Sequence, residues 1–239
     1  MNWTSATSFS LDGVDFVLED LGTSYDGEAY SVMKPAAFLD AYGQVLAAAP
    51  TRNVFELGIR KGGSTVLFAS LFQPDRIVSI DITGPVPALE KFRGEHPDGG
   101  RVSAHYRTSQ DDEARLNEIL AQEFDGPLDV VLDDASHDYH LTRASFEILF
   151  PRLRPGGYYV IEDWQWAHAP GFMLWTDKPA LSNLVFQLMM VCAGHPDLVA
   201  RIQLYPGVAF VQKGGSAASD GRLELEKLCW MQDRTFNLL

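Results

Sequence analysis

Val54-Phe55-Glu56-Leu57-Gly58-Ile59-Arg60-Lys61-Gly62-Gly63-Ser64-Thr65 sets an apolar strand against a glycine-bearing loop and the start of a helix. That order lets backbone N–H groups at a helix N-terminus approach a bound molecule. Gly58 and Gly62 remove side chains where such an approach is nearest, with Glu56 ahead of the loop and Ser64 after it. Asp81 ends the next strand, Arg76-Ile77-Val78-Ser79-Ile80-Asp81, where a carboxylate can accept both hydroxyl protons of a ribose. A glycine loop alone is accounted for by a tight strand-to-helix turn; the acid at the following strand end tips the reading toward a nucleoside. The spacing Gly-x-x-x-Gly-Gly differs from the Gly-x-Gly-x-x-Gly of dinucleotide sites and lacks the Gly-Lys-Ser/Thr ending of a P-loop. Tyr30-Ser31-Val32-Met33-Lys34 spells Tyr-x-x-x-Lys, but it precedes the glycine loop and is read as chance.

Working outward, further apolar runs bounded by turn residues predict strands at Val102 to Tyr106, Leu128 to Asp133 and Tyr158 to Ile161. Helical spacing separates them. Pro35 suits a first helical position before Phe38, Tyr42, Val45, Leu46 and Ala49, and Asp111 to Phe124 and Tyr139 to Leu153 also read as helices. Strands alternating with helices imply parallel strands and right-handed crossovers, hence an α/β Rossmann-like sheet with helices on both faces. Pro155-Gly156-Gly157 is expected to end one helix and turn the chain into the strand that follows. Val199 to Tyr205, Pro206-Gly207 and Val208 to Gln212 predict a closing antiparallel hairpin, and Arg222 to Met231 a terminal helix after a Gly/Ser/Ala-rich loop. The chain is expected to be one domain, 1–239, with an N-terminal lid or helical segment at 1–50, a cofactor-binding core at 51–213, and a loop and helix at 214–239.

A formal charge of −13 argues against nucleic acid as a partner, because such affinity rests on Lys and Arg neutralising phosphates. Acids precede the first basic residue, Lys34, so no secretory signal is expected and a cytoplasmic location is. Leu181 to Ala193 is shorter than the ~20 residues that span a bilayer and reads as a core helix, giving no membrane partner. Cys192 and Cys229 form no disulfide framework and no metal-binding spacing.

Two acid pairs carry the chemistry. Asp133-Asp134-Ala135-Ser136-His137 follows the strand Leu128 to Leu132, and Glu162-Asp163 follows Tyr158 to Ile161. Converging carboxylates cannot all stay ionised at short range without a cation or bound protons. Oxygen donors without cysteine favour Mg²⁺, then Mn²⁺ or Ca²⁺. Any one of these acids alone would be read as a helix cap or ion pair; the pairing shifts Asp134, Glu162 and Asp163 to metal ligands. His137, three residues beyond Asp134, is placed to accept the proton of an attacking hydroxyl, while His140, His168 and His195 lack comparable support.

The segment Glu56 to Asp81, with Leu153-Arg154-Pro155-Gly156-Gly157-Tyr158-Tyr159-Val160-Ile161-Glu162-Asp163, resembles the class I S-adenosylmethionine-dependent methyltransferases. The resemblance implies that the glycine motif, with Glu56, Gly58, Gly62 and Ser64, holds the methionine part and Asp81 the ribose. It also implies that Ser109, Gln110 and Asp111 wall the adenine, roles compatible with capping the helix that follows. Asp133 is assigned to the cofactor side. Leu132-Asp133-Asp134-Ala135-Ser136-His137 and Val160-Ile161-Glu162-Asp163 narrow the resemblance to the metal-dependent sugar O-methyltransferases of macrolide biosynthesis and related bacterial glycoside and polysaccharide enzymes. What it implies is methyl transfer from S-adenosylmethionine to a sugar hydroxyl, with the metal on vicinal hydroxyls and His137 as base. The expected partner is a small-molecule glycoside or oligosaccharide, and the termini, where the resemblance stops, leave a homo-oligomer open.

The aromatic stretch Trp164 to Trp175 suits either stacking on sugar C–H faces or burial in a core or dimer contact. Tyr25 and Tyr30 are candidates for a lid over the cofactor. A catechol-type O-methyltransferase or a cofactor-binding subunit without turnover remain the alternatives.

Overall fold

A computed structural model describes residues 1–19, 27–169, 177–229 and 237–239. Two compact units make up the chain, Met1–Ser109 and Gln110–Leu239.

The first unit opens with strands where a lid or helical segment is expected: β1 (Asn2–Trp3), β2 (Ser8–Leu11), β3 (Val14–Leu18) and β4 (Tyr30–Val32). β1, β2 and β3 pair antiparallel and β4 joins β3 in parallel. Asp12 and Gly13, both with positive φ, make the two-residue turn between β2 and β3, the geometry that matches hairpin twist. Phe9, Val14, Phe16 and Leu18 are buried, which the period-two alternation of Val14, Phe16 and Leu18 makes possible. Tyr30 lies in β4 with its ring edge-on to Phe92, so it belongs to this packing; Tyr25 falls outside the described residues. Helix α1 (Ala36–Leu46) follows, with Pro35 as its N-cap rather than its first residue, since Pro35 is extended at ψ 150°.

Next come β5 (Asn53–Leu57), α2 (Gly63–Phe72), β6 (Arg76–Asp81), α3 (Pro87–Glu95) and β7 (Val102–Tyr106). β5, β6 and β7 pair in parallel, in that order. Gly63 is fixed by packing: a Cβ there would come within 1.9 Å of the Ser31 carbonyl oxygen. Gly62 is fixed by backbone and packing together, with φ +84° and a Cβ position 2.8 Å from the Leu89 Cβ. The fold alone therefore accounts for both glycines.

The second unit contains α4 (Glu113–Glu123), β8 (Leu128–Asp133), α5 (Tyr139–Leu149), β9 (Leu153–Glu162), α6 (Ser182–Gly194), β10 (Val199–Tyr205), β11 (Val208–Lys213) and α7 (Leu225–Leu228). β8 and β9 are parallel; β11 pairs antiparallel with β9 and β10 with β11. Pro155-Gly156-Gly157 lies inside β9 instead of ahead of it, where the β8–β9 register shifts between Leu128 and Val130. A bulge of this kind absorbs a proline and a positive-φ glycine without ending the strand. The terminal helix is shorter than Arg222 to Met231, and Trp230 and Met231 lie outside the described residues. The strand order β10-β11-β9-β8-β5-β6-β7 makes a mostly parallel seven-stranded α/β sheet with antiparallel C-terminal strands. Among the described residues no helix is long and apolar enough to cross a membrane.

Candidate active site

In the first unit, Asp81 is the hub of the glycine loop. Its Oδ2 accepts the backbone N–H groups of Ile59 and Arg60 at 2.8 and 2.9 Å, and its Oδ1 accepts the backbone and hydroxyl of Thr83 at 2.7 Å each. Burial pushes this carboxyl up, but the donors of Arg60, Thr83 and Ile59 outweigh it and hold the group below the ordinary range. The loop is drawn tight enough that Arg60 takes a left-handed φ of 49°. Directly after Asp81, Ile82 is 72% exposed, an apolar side chain left open beside the strand end. Ile82 was not singled out in the sequence, because one isoleucine in an apolar strand carries no signal of where the strand stops.

Glu56 is fully buried on β5, its Oε2 accepting from Ser79 at 2.6 Å and from Thr65. Among the described residues its Oε1 has no hydrogen-bond partner. Burial pushes the carboxyl up, opposed by neighbouring hydroxyls and by the charge of Lys34, itself 1% exposed. Gly58 turns the chain at φ 100°, and Ser64 lies in the first turn of α2, whose leading N–H groups have no partner within the helix. Ser109, the last residue of this unit, is half-buried.

In the second unit the two acid pairs divide in the same way. The first member of each is the last residue of its strand and buried: Asp133 is 2% exposed on β8 and Glu162 2% exposed on β9. The second members, Asp134 and Asp163, stand beyond the strand ends and meet His137. One donor atom from each of Asp134, His137 and Asp163 lies within 4.8 Å of the others, and His137 Nε2 is 3.8 Å from both an Asp134 and an Asp163 oxygen. The three side chains are 24, 13 and 22% exposed, sheltered but reachable. Glu162 does not join this group. Successive residues of a strand face opposite sides, so adjacent acids reach one point only where the backbone leaves the strand.

It leaves the strand here. Asp163 has φ 57° and His137 φ 52°, left-handed conformations costing non-glycine residues about 1–3 kcal/mol each. Asp163 is pinned there by its N–H, which donates at 2.6 Å to the Gly207 carbonyl in the β10–β11 turn. The hairpin thus reaches the site as well as closing the sheet. The Trp166 ring lies 4.3 Å from the His137 ring and tilted to it by 53°. Trp164 donates to the Tyr205 carbonyl at 3.3 Å, and residues 170–176 of the aromatic stretch fall outside the described residues.

Asp133 turns into a buried network. It accepts from the Tyr159 hydroxyl at 2.6 Å, the Ser145 hydroxyl at 2.8 Å, and more weakly from Gln110 Nε2 at 3.3 and 3.4 Å. Burial pushes its carboxyl up to about 6, against the Tyr159, Ser145 and Ala135 donors and with the neighbouring Asp134 charge adding to the rise. Gln110 is also buried, while Asp111 is exposed. The cap of α4 is Asp112, which accepts from the Arg115 N–H, not a residue of the 109–111 triplet.

The sequence profile of a methyltransferase domain matches residues 55–164. Mycinamicin VI 2''-O-methyltransferase from Micromonospora griseorubida is 33% identical over 172 residues, covering 64% of this chain and 40% of that protein. The 8-demethyl-8-alpha-L-rhamnosyl tetracenomycin-C 2'-O-methyltransferase of Streptomyces olivaceus is 30% identical over 175 residues, 67% of this chain and 43% of that one. The chain spans about two fifths of the length of these curated relatives. Among solved structures, MycE methyltransferase from the mycinamycin biosynthetic pathway, in complex with Mg and SAH, superposes with a TM-score of 0.58 at 28% identity, covering 78% of this chain and 52% of that one. The glycine loop closed on Asp81, the mostly parallel sheet and these matches agree on one assignment. Residues 55–164 match a methyltransferase domain, and the fold is that of the class I methyltransferases.

Proposed function

We propose that this chain is an S-adenosylmethionine-dependent, Mg²⁺-dependent O-methyltransferase acting on a sugar hydroxyl of a glycoside or oligosaccharide, its two units serving as one catalytic domain. The observation that carries the reading is the meeting of Asp134, His137 and Asp163 beyond two strand ends, held by two strained backbone positions. The names of the relatives support the acceptor class, one of them acting on a rhamnosyl compound.

The first unit fits the cofactor. A buried Glu56 oxygen without a partner among the described residues suits an ammonium, the leading N–H groups of α2 suit a carboxylate, and exposed Ile82 beside Asp81 suits a nucleobase next to its ribose. Both Asp81 oxygens already accept two protein hydrogens, so a ribose would share this carboxylate with the loop it fastens. Asp81→Asn is therefore expected to weaken SAH binding and lower thermal stability together. Because the folded pKa is depressed, the stability difference from wild type should be full above the ordinary carboxylate range. It should fade as pH falls through the lower folded value. Calorimetric titration and melting curves from pH 3 to 8 check this; unchanged SAH affinity would remove Asp81 from the cofactor site.

The second unit fits a hard divalent ion, since two carboxylates and an imidazole without thiols are donors for Mg²⁺ or Mn²⁺. When bound, the ion would lower the charge cost of a developing alkoxide. Asp134 and Asp163 would hold it, while Glu162 is buried and outside their group. His137 Nε2 would take the acceptor proton, and Trp166 would offer a ring face to the sugar beside it.

SAH should raise the melting temperature and NAD should not, because a ligand bound only by the native state stabilises it. Labelled methyl transfer across a panel of glycosides, with Mg²⁺ and with excess chelator, tests the whole reading. Stabilisation by NAD instead of SAH would overturn the cofactor, and full activity in chelator would overturn the metal.

A further inference from the structure

Resting on the metal reading above, we propose that Gln110 is a positioning residue, setting Asp134 for the ion and His137 beside it by clamping the peptide between them. Its carboxamide bridges two parts of the second unit. Nε2 donates to the Asp133 carboxylate at 3.3 and 3.4 Å and to Ser145 Oγ at 3.0 Å; Oε1 accepts the Ser136 backbone N–H at 3.1 Å. The orientation is fixed by its partners, since a flipped amide would set its oxygen against a carboxylate and its NH₂ against an N–H.

The base of the clamp is rigid. Asp133, Ser145 and Tyr159 are buried, with Tyr159 donating to Asp133 at 2.6 Å and lying 3.1 Å from Ser145 Oγ. The segment it grips is short. Asp134 to His137 runs from the end of β8 to Asp138, which caps α5 by accepting from the His140 and Leu141 N–H groups and pairs with Lys178. Ser136, midway, lies immediately before His137 at its left-handed φ. A strained residue persists only where its surroundings over-determine it, and the Gln110–Ser136 bond is such a restraint one peptide away. Gln110 is 6% exposed and its amide is bonded on both sides within this unit, which assigns it to the metal side of the chemistry rather than to an adenine wall.

The test measures Mn²⁺ binding by electron paramagnetic resonance and SAH binding by calorimetry, on the full chain. Gln110→Met keeps the length and removes both polar ends; Gln110→Asn keeps the amide but is one methylene too short to bridge. Gln110→Met should bind Mn²⁺ about 10–100-fold more weakly, the scale of lost outer-shell partners, with SAH affinity unchanged. Gln110→Asn should move the same way by less, and carries the test if the methionine variant fails to fold. Wild-type Mn²⁺ affinity in the folded variants overturns the clamp alone. Loss of SAH affinity with Mn²⁺ binding intact overturns it in favour of the adenine wall. Absence of Mn²⁺ binding by the wild type overturns the metal reading and the clamp with it.

Discussion

Alanine at position 137 is expected to lower methyl transfer about 10²–10⁴-fold, the range for removing a positioned general base, while Mn²⁺ and SAH affinities stay near wild type. The sulfonium methyl is already a strong electrophile, so the difficulty lies with the hydroxyl, whose proton must leave as the methyl arrives. His137 Nε2, 3.8 Å from an oxygen of each aspartate, is placed to receive it beside the charges that would hold the ion. The same distances allow a competing role as third ligand, and the two roles separate by measurement. A base leaves Mn²⁺ affinity intact when removed; a ligand does not. Single-turnover rates at saturating cofactor, with the metal titrated alongside, decide between them, and normal turnover in His137→Ala would eliminate the base.

Asp163→Ala is expected to cost a comparable amount, with turnover down on the order of 10³-fold, because a catalytic metal supplies several kcal/mol and each ~1.4 kcal/mol is tenfold in rate. Asp134→Ala should match it. SAH affinity should survive both changes, since the glycine loop is fastened by Asp81 rather than by these acids. Mg²⁺ added in excess should recover part of the rate if the remaining donors still bind weakly. Retention of full activity and metal dependence in Asp163→Ala would remove that residue from the ion. Glu162→Gln tests the buried partner: a small change in Mn²⁺ affinity is expected from a residue outside the Asp134–His137–Asp163 group.

The sheet was legible because β6, β7 and β8 are apolar runs closed by turn residues at both ends, and their observed bounds match those runs. The first strands were overlooked although their turn was written in Asp12-Gly13, the two-residue hairpin pair; the strands beside it are too short to show alternation on their own. Within the site, residue type and position along the chain marked the acid pairs. They could not tell which member of each pair faces inward, since that depends on the residue at which each strand stops. Asp133 and Glu162 end their strands and are buried, whereas Asp134 and Asp163 lie one step beyond. Gln110 was visible as a residue near a helix start, but its bonds reach Ser136 and Ser145, 26 and 35 residues away, and no local pattern encodes those contacts.

The left-handed backbones of His137 and Asp163 set heat tolerance against chemistry at the same two codons. Glycine there would release strain and keep the fold, at the loss of an imidazole or a carboxylate. A library sorted on residual structure after heating would gather glycine at 137 and 163, whereas one sorted on methylated product would purge it. Running the two sorts on one library would therefore map, position by position, where this protein gives up durability to work.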